Sequence, residues 1–138
     1  MTPLPERLAE LRKHLAHLRE LEPRVPDAGV LENDLSLHND VLFSLLTVAQ
    51  LVIDVAGELA SRGGFPFSDY TEAVRNLRHL GDPSLPPEMV ERLARLPGFR
   101  HILIHEYMGL DYDLVMRALR DLEPVEGLAR AVARRLDG

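Results

Sequence analysis

Leu4, Leu8, Leu11, Leu15 and Leu18 return at alternating intervals of four and three, which stacks their side chains along one face of an α-helix; a strand, with its period of two, cannot present them together. Pro23 has to end this helix, because proline has no amide hydrogen to donate and its ring strikes the preceding turn. The spacing therefore predicts a first helix over about residues 4–21. After Pro26, Asp27 fits an N-cap. Leu31, Leu35, Leu42, Leu45, Leu46, Ala49, Val52, Ile53, Ala56 and Leu59 then keep helical spacing up to Gly63-Gly64. One second helix of about 35 residues follows from this pattern, apolar on more than one face, so it should pack both within its own bundle and against a partner.

The remaining punctuation is also helical. Asp69 followed by Glu72 reads as a capping box and Gly81 as a stop, predicting a third helix over about residues 69–80. Pro86 and Pro87 suit the first turn of a fourth helix that faces Val90, Leu93 and Leu96 inward, with Pro97-Gly98 interrupting or kinking it. Asp111 caps a fifth helix through Leu114, Val115, Ala118, Leu119 and Leu122, and Pro124 begins a last one to about Leu136. β-Branched residues alternate with polar ones over no useful length, so no strand is expected. The expectation is an all-α up-and-down bundle of five to six helices, a single domain over residues 1–138, without repeats or low-complexity segments.

The chain has no cysteine, which excludes disulfides, iron–sulfur ligation and a thiol nucleophile and leaves any metal to His and carboxylates. Its 22 acidic and 16 basic residues give a net charge of -6, against a surface that holds nucleic acid by electrostatics alone. Residues 70–100 are the exception: five basic against four acidic side chains, between two acidic flanks. A small basic cleft on an acidic body fits this distribution. With no recognised apolar run of about 20 residues and no secretory leader, a cytoplasmic protein away from membranes is expected.

Chemistry concentrates in Phe99-Arg100-His101-Ile102-Leu103-Ile104-His105-Glu106-Tyr107. An arginine holds a phosphate in a planar, permanently charged fork, and a histidine exchanges protons near neutral pH. Together they suggest phosphodiester chemistry. On an ideal helix Arg100 and His105 stand about 140° apart, whereas Arg100 and Tyr107, seven apart, share a face. Either the long Arg100 side chain reaches round, or the helix is irregular near its end. His101 and His105 also have the i, i+4 spacing of a two-histidine metal pair, which Glu106 or Asp111 could complete; with no obvious third ligand, no metal is expected. The plainer alternatives are an Arg100 that covers apolar surface and pairs with Glu91 or Glu106, a partly buried structural His105, a Glu106 paired with Arg92 or Arg95, and an Ile102-Leu103-Ile104 run used for packing.

Arg100, His105 and Tyr107 form an Arg-x4-His-x-Tyr signature within Gly98-Phe99-Arg100 and Ile104-His105-Glu106-Tyr107. With Gln50, Ile53 and Asp54 on the long helix, the Tyr70-Thr71-Glu72-Ala73 entry to the third helix, and Leu110-Asp111, it makes nearly the whole chain resemble the HEPN-domain toxins of the HepT type. One departure stands out: the commonest family pattern has Asn after the arginine, and this chain has His101, a polar auxiliary. The resemblance implies a HEPN-type bundle and a homodimer whose two Arg–His pairs meet in a shared cleft. It also implies a cofactor-free, metal-independent endoribonuclease, with Arg100 and His105 catalytic, that cuts RNA to a cyclic phosphate. Such a protein is the toxin of a type VII-like toxin–antitoxin pair, partnered by a minimal nucleotidyltransferase antitoxin of the MntA type that places AMP on Tyr107. The chemistry is consistent: a base must take the 2′-hydroxyl proton while a cation steadies the charge growing on phosphorus. A second reading is a catalytically silent module that partners a nucleotidyltransferase and uses Arg100 and His105 only to bind phosphate. Activity on RNA separates the two.

Overall fold

The leucine stripe becomes the buried face of α1 (Leu4–Leu21): Leu4, Leu8, Leu11, Leu15, Leu18 and Leu21 are all buried in the computed structural model, which describes residues 2–137. Every regular element there is helical. The others are α2 (Ala28–Asn33), α3 (Leu35–Gly63), α4 (Tyr70–Arg75), α5 (Pro87–Leu93), α6 (Leu96–His105), α7 (Tyr112–Arg120) and α8 (Glu123–Asp137), with short 3-10 turns after α1, α4 and α6. α3 is the central element, touching α1, α2, α4, α6 and α7, while α8 closes the bundle against α1 and α5.

The all-α expectation is met, but with eight α-helical segments among the described residues rather than five to six. The expected single second helix is broken at Asp34, which leaves the helical region (φ -112°, ψ 101°) and accepts the Leu37 amide at 3.1 Å. A short carboxylate side chain competes with the helix for backbone donors, and here it starts a new helix instead of continuing the old one. Leu35, counted into the apolar stripe from its spacing, is consequently exposed. The third helix is α-helical only to Arg75 and then tightens into a 3-10 turn over Asn76–Leu80, which buries Leu77 and lays the His79 ring flat on Phe65, centroids 4.0 Å apart. Gly81 ends it at φ 61°, a conformation glycine adopts without strain. The break expected at Pro97-Gly98 falls one turn earlier, at Ala94-Arg95. Pro97 sits in the first turn of α6, where its missing amide hydrogen costs no hydrogen bond.

Against the expectation that no apolar run of membrane-spanning length is present, α3 is long and apolar enough to cross a membrane by length and composition. Half of its most apolar window is buried inside the bundle, so that apolarity serves the core. Polar links fix the helix ends around it. Arg7 reaches Glu58 and the Asp54 carbonyl, each at 3.4 Å, from α1 to α3. Arg62 Nη2 lies 2.9 Å from the other Glu58 oxygen without making a hydrogen bond. Arg134 of α8 holds Asp82 at 3.0 Å and also bonds Ser84, clamping the loop before α5 onto α8. That loop runs directly over Gly127, where a Cβ atom would stand 2.3 Å from the Ser84 carbonyl oxygen.

Two predictions follow from this packing. Gly127→Ala should lower unfolding free energy by about 2 kcal/mol, because backbone must move to admit the methyl group and alanine's helix propensity returns only about 1 kcal/mol; chemical denaturation measures it. The second concerns pH. Burial holds the His14 pKa below its ordinary 6.5, against the opposing pull of Glu10, while its Nδ1 lies 3.0 Å from the buried Ser44 hydroxyl. Arg134 holds the Asp82 carboxyl at about 2, below its ordinary 3.8. In both cases the unfolded chain binds the proton more tightly. The His14 contribution is therefore complete above pH 6.5 and is lost as pH falls below it. The Asp82 contribution is complete above pH 3.8 and is lost towards pH 2. Thermal melts should show a first fall in midpoint below pH 6.5 that His14→Gln flattens, and a second at acid pH that Asp82→Asn flattens.

Candidate functional site

α6 is anchored by Phe99, its one buried residue. Helical spacing carries Arg100 and Ile104 to the flank that faces α3, where they line a shallow groove of about 330 Å³ with Leu46, Thr47, Gln50 and Leu51. Arg100 is half-buried and has no carboxylate partner among the described residues. The carboxylates that sequence offered it are elsewhere: Glu91 pairs with Arg75 at 3.2 Å, and Glu106 is exposed without an ion pair among the described residues. Nor does Glu106 hold Arg92, which is taken by Asp121 and by Glu88 at 3.0 Å. Arg100 thus presents an open fork for an anion.

Gln50, the chain's only glutamine, forms the opposite wall. Its amide nitrogen donates to the Asp54 carboxylate at 2.9 Å, one turn on along α3, which holds the Gln50 side chain in the groove that Arg100 also lines. Sequence spacing did not single out Thr47 and Gln50 as a pair; the available signal was two polar residues three apart on an otherwise apolar stretch.

His101 and His105 are exposed, and their rings lie together, centroids 4.4 Å apart and tilted by 43°. α6 remains regular through His105, its last residue. On a regular helix His101 and His105 stand about 100° and about 140° around the axis from Arg100, and neither lines the groove that Arg100 lines. Tyr107 reaches the Arg100 flank by another route than the shared helical face expected for it. Glu106 leaves the helix (φ -123°, ψ 24°) and Tyr107 opens a 3-10 turn. There it lines a second groove of about 320 Å³ with Asn39, Leu42, Phe43 and Leu103, and Leu46 is common to both grooves. The Tyr107 ring is 65% exposed. Among the described residues no three His, Asp or Glu side chains gather where they could hold a metal ion. Asp111, a candidate third ligand from sequence, spends its carboxylate capping α7, accepting from the Asp113 amide at 3.0 Å and the Leu114 amide at 3.3 Å.

A family model described as ribonuclease HepT-like matches residues 8–132. The chain belongs to the HepT-like ribonuclease family. No curated protein matches it. Among solved structures, this HepT-like chain is similar to the tri-AMPylated Shewanella oneidensis HEPN toxin in complex with an MNT antitoxin, with a TM-score of 0.76 at 17% identity over 97% of this chain and 99% of that one. It is similarly related to a chain of a toxin–antitoxin crystal structure with AMP-PNP, with a TM-score of 0.79 at 16% identity over 95% and 97% of the two chains. At such identities the likeness carries the fold, and the HEPN-type bundle expected from sequence is the one observed.

The tyrosines of this HepT-like chain differ in access, which chemical modification can read. Tyr107 and Tyr70 are 65% and 56% exposed, while Tyr112 is half-buried with its ring 5.7 Å from that of His38. Limited nitration followed by peptide mapping should modify Tyr107 and Tyr70 well before Tyr112.

Proposed function

We propose that this chain is the toxin of a toxin–antitoxin pair, a metal-independent endoribonuclease that works as a homodimer and is silenced when a nucleotidyltransferase antitoxin transfers AMP to Tyr107. The observation that carries the reading is the family match over residues 8–132 together with an Arg100 left free of carboxylates beside a groove. The solved relatives add support, one being an AMPylated toxin held by an MNT antitoxin.

In this reading His105 takes the proton from a ribose 2′-hydroxyl, and the freed oxygen attacks the adjacent phosphorus. The bond to the 5′-oxygen breaks, leaving a 2′,3′-cyclic phosphate, and the departing oxygen receives a proton from a second acid. Arg100 clamps the phosphate and offsets the charge that builds in the transition state. His101 stands beside His105 and supplies a further donor. Because one chain carries Arg100 and His105 on different flanks of α6, a two-fold axis that brings a second copy's His105 towards Arg100 provides both the acid and the base. Exposed Phe43, Ile104 and Met108 along the α3 and α6 edges supply apolar surface for that contact. AMP on Tyr107 adds bulk and negative charge on the Arg100 flank, obstructing RNA sterically and electrostatically.

Cleavage of RNA should persist in excess EDTA and leave cyclic phosphate ends, and His105→Ala should slow it by about a hundred-fold or more while leaving helical content unchanged. Loss of activity on chelation, restored by zinc, would transfer His101 and His105 to a metal site. An inert wild type that still binds the nucleotidyltransferase would favour the silent binding module. Co-expression with the cognate nucleotidyltransferase should add about 329 Da per AMP, mapping first to Tyr107. Tyr107→Phe should escape that modification, as read by intact mass.

A further inference from the structure

A cleft larger than either groove lies on the other flank of α6, between α5 and α6 on one side and α7 and α8 on the other. Its volume is about 520 Å³, within the range of small-molecule sites. The floor is apolar, built from Leu96, Phe99, Ile102, Leu114 and Val125. Two arginines, Arg95 and Arg117, line it as well; both are exposed and neither has a carboxylate partner among the described residues. Asp121 is the acidic side chain in the lining, its charge matched by Arg92 at 3.1 Å. A carboxylate accepts several hydrogen bonds, so this pair leaves acceptor capacity for a ligand donor.

These features describe a ligand with a flat apolar body, a hydrogen-bond donor on its edge and a phosphate. A nucleotide has all three: its base can stack on apolar and guanidinium surfaces and its phosphate can meet an arginine fork. An acyl chain would use the floor and the arginines but has no donor for Asp121. Position adds a second argument. The α6 wall of the cleft includes Gly98 and Ile102. His101 is three residues from Gly98 and His105 three from Ile102, neighbours on the helix surface. Neither histidine is in the lining itself, but both are next on the helix surface to residues that are, on the side of α6 away from Arg100.

We propose that the cleft is a base-binding subsite: it receives the base of a nucleotide next to the cleaved phosphate, with Arg95 and Arg117 on the RNA backbone. The proposal rests on the ribonuclease reading above and names where that enzyme holds its substrate. Gly98 lies in the lining, and a Cβ atom there would meet nothing within 4 Å, so a side chain can be built at this position without clash. The absent side chain leaves the cleft open without being required by the backbone.

The test uses the full chain and a 2′-O-methyl RNA hexamer, which lacks the attacking hydroxyl and cannot be cut. In methyl-labelled protein the hexamer should shift the Ile102, Leu114 and Val125 signals. Gly98→Leu, which fills the cleft from a helical position free of clash, should weaken hexamer binding at least ten-fold and lower kcat/KM on cleavable RNA to match, with the circular dichroism spectrum unchanged. The double substitution Arg95→Ala with Arg117→Ala should do the same and also reduce the salt dependence of binding, so the test survives a Gly98→Leu protein that fails to fold. If wild type cuts RNA, both variants cut it equally well and the cleft methyls stay silent, the subsite is wrong and the ribonuclease reading stands. If the hexamer shifts those methyls and the variants weaken it, but wild type cuts nothing, the subsite stands and the ribonuclease reading falls. Decanoate shifting these methyls where the hexamer does not would make the cleft an acyl site and overturn the proposal.

Discussion

Burial of α3 is the constraint on which the rest of the molecule depends. Its 29 residues carry apolar side chains around more of the circumference than one neighbour can cover, so α1, α4 and α6 must each take a share. Val41, Val52, Val55 and Ala56 are completely buried by that arrangement, each contributing of the order of 1 kcal/mol or more of transfer free energy. The portion of α3 that faces solvent beside α6 is where the grooves form, at Leu42, Leu46, Thr47, Gln50 and Leu51. Core and candidate site are two sides of one helix.

The pitch of α6 then divides the chemistry. Phe99 enters the core and the cleft beside α7 and α8, Leu103 meets α3, Arg100 and Ile104 border the α3 groove, and His101 and His105 come out elsewhere on the cylinder. A single chain thus presents a cation on one flank and two imidazoles away from it. Arg19, Arg75, Arg92 and Arg134 are matched to carboxylates, while among the described residues Arg95, Arg100 and Arg117 around α6 have no carboxylate partner, as is also true of Arg12, Arg24, Arg78 and Arg130 elsewhere on the surface. An acidic protein can offer local positive potential in this way, because paired arginines cancel and unpaired ones do not.

Much of this was legible in the residues. The α1 leucines, the Asp27, Asp69 and Asp111 caps and the Gly64 and Gly81 stops all stand where their chemistry put them. The errors share one cause. Asp34, Pro97 and Glu106 each lie at a boundary where two local solutions are close in energy: continue the helix, cap a new one, or leave it. Periodicity cannot weigh those options, since it reports only which face is apolar. Hence the single second helix became α2 and α3, the break before α6 moved by a turn, and Tyr107 came to its groove through a 3-10 turn.

The sequence by itself determined that the chain is helical, where its main caps lie, and that Arg100, His101, His105 and Tyr107 fall in one short segment. These are properties of neighbours along the chain, set by backbone donors, proline geometry and a period of 3.6 residues. Only the tertiary structure decided that Gln50 faces Arg100, that Gly127 has no room for a methyl group, and that Arg95 and Arg117 stand over one cleft. Gln50 and Arg100 are fifty positions apart in sequence, and Ser84 meets Gly127 where buried Leu85 and Arg134 hold its loop against α8. Such pairings depend on how helices dock against one another, and docking is fixed by the combined shape of all the buried side chains rather than by any local run of them.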